Sequence, residues 1–487
     1  MKEDTAALYN ELGKSYEESY LENPGQAKIL EAILQRISPH SKVLDVGSGT
    51  GKPMAHTFAQ AGHEVHGIDI SETMVNLARS QVKGTFEKCK MTDYKPQTTF
   101  DVVLGSFSLF HITCEETNSM IFRFAEWLKP GGLLMVATIL SDYYFKDPKL
   151  YDASGECVRH YPQPWMNETY DCTFFTRKGW MDMFEKAGLT FETEVYSPWA
   201  GTKDHLEEEH YLVVVRKKEK ETLFGPYPLP SSYRGPRKFN AAAVLPLTER
   251  LASDETENIL SLLENNQKVL DTGKWRKELL LHQLAKRGSK VYAIEPDVNP
   301  EAVGKAHENG VELTQGTLEN LPFPDHQFDA VVTTWSLQYA DDLEKSLHEI
   351  ARAVDPSNPK SRIVISQGGP DNKVLNLINR ALVSLGRNES LDHHGYILHK
   401  ASEILAEHGF ADVSVRRVEA YCKFPEQEIS ERCARAAEVL AGLWYTNDPD
   451  YEKVKQALVP ELEQYFQDSP HSIGFGTAVL VAKPAKF

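Results

Sequence analysis

A chain of 487 residues is longer than one ordinary domain and predicts two or three, and its 41% hydrophobic and 25% charged content is that of a globular protein. The absence of any apolar run long enough to span a bilayer sets the membrane class aside, and the polar, acidic start MKEDTAALYN sets aside a secretory leader, so a cytoplasmic location is expected. A formal net charge of −17 with no basic cluster argues against a nucleic-acid partner.

In chain order, Tyr9, Leu12, Tyr16 and Tyr20 recur at helical spacing and predict an amphipathic helix near the N-terminus. Lys42–Val46 reads as a strand, residues 53–61 as a helix and residues 63–68 as a second strand. Ser71 is placed to cap a helix over residues 71–81. Strands at 100–104 and 133–138 flank a helix at 118–128. Gly188 ends a helix before a strand at 190–196, and 211–215 closes the set. Strand–helix alternation of this kind predicts an α/β protein with an open, mostly parallel sheet.

Residues 219–240 are charged, then rich in Pro, Ser and Gly, and read as a linker between a domain at 1–218 and one at 241–487. Beyond it the order repeats, with strands at 268–270, 290–294, 328–333 and 362–366 and a helix at 278–286. Asp45 and Asp69 are 24 positions apart, and so are Asp271 and Glu295, which points to duplication. The six cysteines (Cys89, Cys114, Cys157, Cys172, Cys422 and Cys433) form no CxxC pair and have no metal-ligand spacing. Reduced thiols and no metal are expected.

The chemistry concentrates in Val43-Leu44-Asp45-Val46-Gly47-Ser48-Gly49-Thr50-Gly51. An apolar strand runs into a turn whose glycines permit close backbone approach to a ligand. The spacing is Gly-x-Gly-x-Gly, not the Gly-x-Gly-x-x-Gly of dinucleotide folds. Asp69 ends the next strand, where a carboxylate can accept both hydroxyls of a ribose.

With Phe100-Asp101-Val102-Val103 and Leu128-Lys129-Pro130-Gly131-Gly132 downstream, the chain resembles the class I S-adenosylmethionine-dependent methyltransferase family. The resemblance implies two tandem Rossmann-like domains, each a mostly parallel seven-stranded sheet flanked by helices. It implies S-adenosylmethionine as cofactor, with Asp45, Gly47, Gly49 and Gly51 around the methionine part and Asp69 on the ribose. Met91 and Asp93 fall at the adenine position and Ser106 at the strand end facing the cofactor. His111, just past that strand, has an ordinary pKa near neutrality and is the candidate general base. A base of that kind predicts turnover rising through a pKa near 6–7. Tyr16, on the N-terminal helix, is the candidate substrate-touching tyrosine, because such a helix lids the cofactor in small-molecule members. The aromatic stretch from Tyr143 to Trp199 reads as a substrate lid or as the core of an inserted helical cap, and suits an apolar or cationic substrate.

The second half follows the family pattern at Gly316–Phe323 and Phe328–Val332, but its loop does not. Trp275 stands at the Gly49 position and Lys277 at that of Gly51, and Thr317 replaces the adenine-contacting acid. A degenerate copy is expected there. The composite expectation is a methyltransferase acting on a small-molecule metabolite, in secondary metabolism, through an N, O or S acceptor, with a homodimer open. The alternatives are a cofactor-binding scaffold or regulator and a non-methylating enzyme of the same fold.

Overall fold

The computed structural model describes residues 5–20, 23–165, 168–199, 208–219, 225–230, 233, 239–273, 277–387 and 393–485. The chain forms two units, Met1–Leu223 and Phe224–Phe487, with the boundary inside the 219–240 stretch. Among the described residues, no helix is long and apolar enough to cross a membrane.

The first unit opens with helices α1 (Thr5–Leu12), α2 (Lys14–Tyr20) and α3 (Pro24–Leu34). A single helix through Tyr20 is expected from periodicity, but the structure breaks it at Gly13, whose φ of +49° is left-handed. The unit continues with β1 (Lys42–Val46), α4 (Met54–Gln60), β2 (Glu64–Asp69), α5 (Glu72–Gln81), β3 (Thr85–Lys88), β4 (Phe100–Ser106), α6 (Cys114–Trp127) and β5 (Leu128–Ile139). It is completed by α7 (Ser141–Tyr144), β6 (Cys157–Trp165), β7 (Glu168–Phe175), α8 (Arg177–Lys186), β8 (Leu189–Trp199) and β9 (Glu208–Lys217).

Seven strands lie in the order β3-β2-β1-β4-β5-β9-β8. β1 to β5 pair in parallel, and β9 runs antiparallel to both β5 and β8. Covering both faces of the sheet requires apolar side chains in both directions along its central strands. Leu44, Val46 and Val103 pack on one side with Phe124 of α6, and Val43, Val102 and Leu104 pack on the other with Ile29 of α3 and Phe58 of α4. The strand order reverses between β2-β1 and β1-β4, and that switch point opens a crevice at the C-terminal strand ends.

Capping fixes where the helices begin. The Ser71 hydroxyl accepts the Met74 amide at 3.2 Å, as its sequence position predicts. Thr113 and Glu116 form a reciprocal capping box that starts α6 two residues after His111. Between β5 and β8 the expected helical cap is instead an antiparallel hairpin of β6 and β7. The reason is a period of two: Tyr170, Cys172 and Phe174 alternate onto one buried face, where they meet Leu8 of α1.

The second unit contains α9 (Ala241–Thr248), β10 (Leu251–Ser253), α10 (Thr256–Leu262), β11 (Lys268–Asp271), α11 (Lys277–Lys286), β12 (Lys290–Glu295), α12 (Pro300–Glu308), β13 (Val311–Gln315), β14 (Ala330–Thr334), α13 (Leu343–Ala353) and β15 (Arg362–Gly368). It ends with α14 (Lys373–Ser384), α15 (His393–Glu407), β16 (Asp412–Val418), β17 (Tyr421–Lys423), α16 (Ile429–Tyr445), α17 (Tyr451–Asp468), β18 (Ser472–Gly474) and β19 (Thr477–Lys483). Its main sheet, β13-β12-β11-β14-β15-β19-β16, repeats the first in order and direction. The register repeats too: Asp45 sits opposite Gly67 and Asp271 opposite Ala293, the same offset in each unit. A small sheet of β10, β17 and β18 and the long helices α16 and α17 are additions the sequence pattern does not anticipate.

Candidate active site

The crevice of the first unit holds a cavity of about 390 Å³, within the usual range for a small-ligand site. Gly47, Gly49, Asp69, Met91, Ser106 and His111 line it, together with Tyr9 and Tyr16 from the N-terminal helices. Seven of the ten residues singled out in the sequence therefore meet at one wall: His111, Tyr16, Gly47, Gly49, Asp69, Met91 and Ser106. The other three, Asp45, Gly51 and Asp93, lie off the lining.

Asp45 is 1% exposed, and neither carboxylate oxygen has a hydrogen-bond partner of good geometry. Burial, reinforced by the negative charge of Asp69, pushes its pKa up to about 7. Gly51 sits behind the loop with φ +81°, and a Cβ there would lie 2.9 Å from Val82. Asp93 is exposed and outside the lining, which Met91 joins.

The loop is held by the sheet. The Gly47 and Ser48 amides both donate to the Ile68 carbonyl, at 2.8 and 2.9 Å. Gly47 has φ +73°, and an added Cβ would collide with Ser108 Cβ at 2.5 Å. At Gly49 (φ +52°) a Cβ would meet nothing nearer than Tyr16, 3.8 Å away. Space beside Gly49 is therefore kept for something other than protein. Asp69 accepts the Gly49 amide on one oxygen and the Ser71 amide on the other, each at 2.8 Å. Burial raises its pKa, and the amides of Ser71, Gly49 and Ile70 oppose that rise. The N-terminal helices are tied down over the loop: Asn10 accepts from the Ser71 hydroxyl at 2.7 Å, and Glu17 accepts from Gln81 at 2.6 Å.

After β4 the chain turns sharply through Phe107, a non-glycine residue at φ +50°. Strain of that kind, of order 1–3 kcal/mol, persists where the surroundings over-determine the backbone. The turn feeds a short 3-10 helix, Leu109–His111, that presents His111 to the cavity. His111 Nε2 lies 2.8 Å from the Tyr9 hydroxyl. Burial lowers its pKa to about 4, so the ring is neutral near pH 7 and able to accept a proton.

A second, smaller pocket adjoins the first and shares Tyr9, Tyr16, Phe107 and His111 with it. Trp165, Tyr170 and Phe174 of the β6–β7 hairpin close one side, and Glu208 and His210 of β9 the other. The functional candidates missed in the sequence are here. Tyr9 shares the helical stripe with Tyr16 and carried a signal. Glu208 and His210 lie more than a hundred residues from the loop and carried none.

No metal is expected from the cysteine spacing, yet folding brings Cys114, Asp152 and Cys157 together within 4.8 Å. Arg159 pairs with Asp152 at 3.1 Å and with Glu115 at 3.6 Å, so the local carboxylates already face a cation. All six cysteines are free thiols.

In the second unit, Trp275 and the loop around it lie outside the described residues, and nothing is described of the Lys277 side chain. The strand end is described. Trp335, at φ +48°, repeats the turn of Phe107, and Tyr339 stands where His111 does, at the end of the equivalent 3-10 helix Leu337–Tyr339. The Trp335 ring is buried, stacks on Phe475 at 4.7 Å and donates to Glu255 at 3.1 Å. A cavity bounded by Thr334 and Trp335 measures about 20 Å³.

Residues 43–132 match a family model described as a methyltransferase domain, and residues 276–357 match a second model of the same description. A 143-residue stretch is 32% identical to the phosphoethanolamine N-methyltransferase of Plasmodium falciparum, covering 28% of this chain and 52% of that one. A 111-residue stretch is 32% identical to dTDP-3-amino-3,4,6-trideoxy-alpha-D-glucopyranose N,N-dimethyltransferase of Streptomyces venezuelae, covering 22% of this chain and 46% of that one. The chain thus spans about half the length of these two relatives. Among solved structures, the 1,6-didemethyltoxoflavin-N1-methyltransferase of Burkholderia thailandensis is 20% identical with a TM-score of 0.33, covering 44% of this chain and 84% of that one.

Proposed function

We propose, for a chain that belongs to the class I S-adenosylmethionine-dependent methyltransferase family, that its N-terminal unit transfers a methyl group from that cofactor to a small-molecule acceptor and that its C-terminal unit does not bind the cofactor. The observation that carries this reading is the cavity of about 390 Å³ at the sheet edge of the first unit, where Gly47, Gly49, Asp69 and His111 meet.

The residues of the larger cavity fit the cofactor. Gly47 and Gly49 leave the backbone bare where the methionine part approaches, and Asp69 can accept from the ribose diol. Met91 offers an apolar face to the adenine. Asp45, buried behind the loop, is a counter-charge for the cationic part of the ligand. When bound, the cofactor supplies a methyl group on a positively charged sulfur. What remains for the protein is to hold the acceptor in line and to take a proton where the acceptor has one to lose. His111 is neutral and faces the cavity, with the Tyr9 hydroxyl fixing its ring, so it serves as the base or as the group that orients the acceptor. Tyr16 stands between the two pockets and walls the acceptor side.

Among the described residues, the strand end of the second unit differs from that of the first. Tyr339 replaces the base, and the Trp335 indole occupies the strand end. Calorimetric titration with S-adenosylhomocysteine tests the assignment, with one site per chain expected and Gly49→Trp abolishing it. Two sites per chain would overturn the account of the second unit. A screen of metabolite extracts for S-adenosylhomocysteine release tests catalysis, and binding without release from any extract would favour a scaffold instead.

A further inference from the structure

We infer that the smaller pocket recognises a compact ammonium group on the acceptor molecule, with Glu208 as its counter-ion. This rests on the reading of the N-terminal unit as a small-molecule methyltransferase. Tyr9, Tyr16, Phe107, Trp165 and Phe174 wall the pocket, and Glu208 is the carboxylate among its lining residues. The Glu208 side chain is 16% exposed. A carboxylate so withdrawn from water is costly unless its charge is answered.

The partner that the structure gives Glu208 is His210, 1% exposed, whose Nε2 lies 2.8 Å away. The neighbouring helix cap decides what that contact is. Asn23 caps α3 through its side-chain oxygen, which accepts the Gly25 and Gln26 amides at 2.9 and 3.2 Å. Its amide nitrogen therefore faces His210 Nδ1, 2.6 Å away, and donates to it. With Nδ1 accepting, the proton of the neutral ring is on Nε2, and His210 donates it to Glu208. From His210, Glu208 thus receives an oriented hydrogen bond and no neutralising charge. Trp199, stacked at 5.8 Å, and Phe107, at 4.5 Å, clamp the same ring.

Among the described residues, no lysine or arginine lines this pocket. Lys90, a lining residue of the larger cavity, pairs with Glu116 at 3.6 Å. An anionic head group would meet the Glu208 carboxylate here and, among the described lining residues, no lysine or arginine. An ammonium would meet the carboxylate and several aromatic faces, which attract cations through their quadrupoles. The small size of the pocket favours a compact head. The charges agree: burial raises the pKa of Tyr16, the residue between the two pockets, and Asp69, Glu208 and Asp45 all add to that rise.

The test uses the full chain saturated with S-adenosylhomocysteine, titrated calorimetrically with trimethylammonium and with tert-butanol, its neutral counterpart in shape. Trimethylammonium is expected to bind at least about tenfold more tightly, a gap that narrows as salt is raised. Glu208→Gln should bring the two probes level while S-adenosylhomocysteine affinity holds. Equal binding of the two probes to the unaltered chain overturns the inference without recourse to any variant, and so does an unchanged preference in a folded Glu208→Gln protein. Failure of S-adenosylhomocysteine to bind the unaltered chain would overturn the underlying methyltransferase reading instead.

Discussion

Replacing His111 by Gln gives the sharpest check on the proposed chemistry. The glutamine carbonyl can still accept a hydrogen bond from Tyr9, so the 2.8 Å contact has a substitute, but the side chain cannot take a proton. The sequence alone predicts a base titrating near 6–7. Burial lowers the folded pKa from 6.5 to about 4, a difference equivalent to about 3 kcal/mol between the two protonation states. The ring is therefore already neutral across the physiological range. As far as His111 governs it, kcat/KM of the unaltered protein should be level near neutrality and fall only as pH approaches about 4. His111→Gln should lower single-turnover S-adenosylhomocysteine formation by about 10²–10⁴-fold where the acceptor must lose a proton, and leave cofactor affinity intact. Stability carries the same signature. Because the folded pKa lies below the unfolded one, the unfolded chain binds the extra proton first, and stability drains away as pH falls from 6.5 towards about 4. His111→Gln removes that drain, so denaturant curves of the two proteins should converge or cross over this window, by at most about 3 kcal/mol. An acid limb near 6.5 in the unaltered protein, or identical pH–stability slopes in the two, would refute the argument from burial.

Asp69→Ala removes a charge-assisted acceptor worth roughly 1.5–3 kcal/mol and should weaken cofactor binding about ten- to a hundredfold in a calorimetric titration; an unchanged Kd would place the ribose elsewhere. Asp45 carries a pKa raised to about 7, so its proton is retained in the folded chain while an unfolded aspartate has lost it, and its contribution to stability falls as pH rises from 3.8 through 7. A cationic ligand beside it should draw that proton off, giving proton release on binding near pH 6–7 and tighter binding as pH rises, read from titrations in buffers of different ionisation enthalpy. Thr113→Ala breaks the capping box of α6 and should cost about 1 kcal/mol by chemical denaturation, with a larger loss in turnover than in cofactor affinity, because the cap sets where His111 lies.

Much of this was legible in the chain. The apolar strand before Gly47-x-Gly49-x-Gly51, the acid at Asp69 and the equal spacing of Asp271 and Glu295 are local patterns, and local patterns fix strands, turns and their repetition. Hence two mostly parallel seven-stranded sheets are expected and found, and seven of the ten named residues meet at one cavity. The misses have a common cause. Gly13 turns what reads as one helix into two, because a single left-handed residue outweighs the stripe around it. The β6–β7 hairpin hides in an aromatic-rich stretch where periods of two and of 3.6 compete. Asp93 lies near in sequence, yet its side chain points to solvent.

What only the tertiary structure decided is electrostatic and long-range. The sequence names His111 and Asp45, but burial sets their protonation, and burial is a property of the packed unit. The sequence cannot join Asn23, His210 and Glu208, because 187 positions separate Asn23 from His210 and no local signal spans them. The packing of α3 against β9 brings them together, and the need of a helix N-terminus for an acceptor then fixes which way each proton points. Fold was written in short-range periodicity; the charge of the smaller pocket was written in contacts that exist only once the sheet has closed.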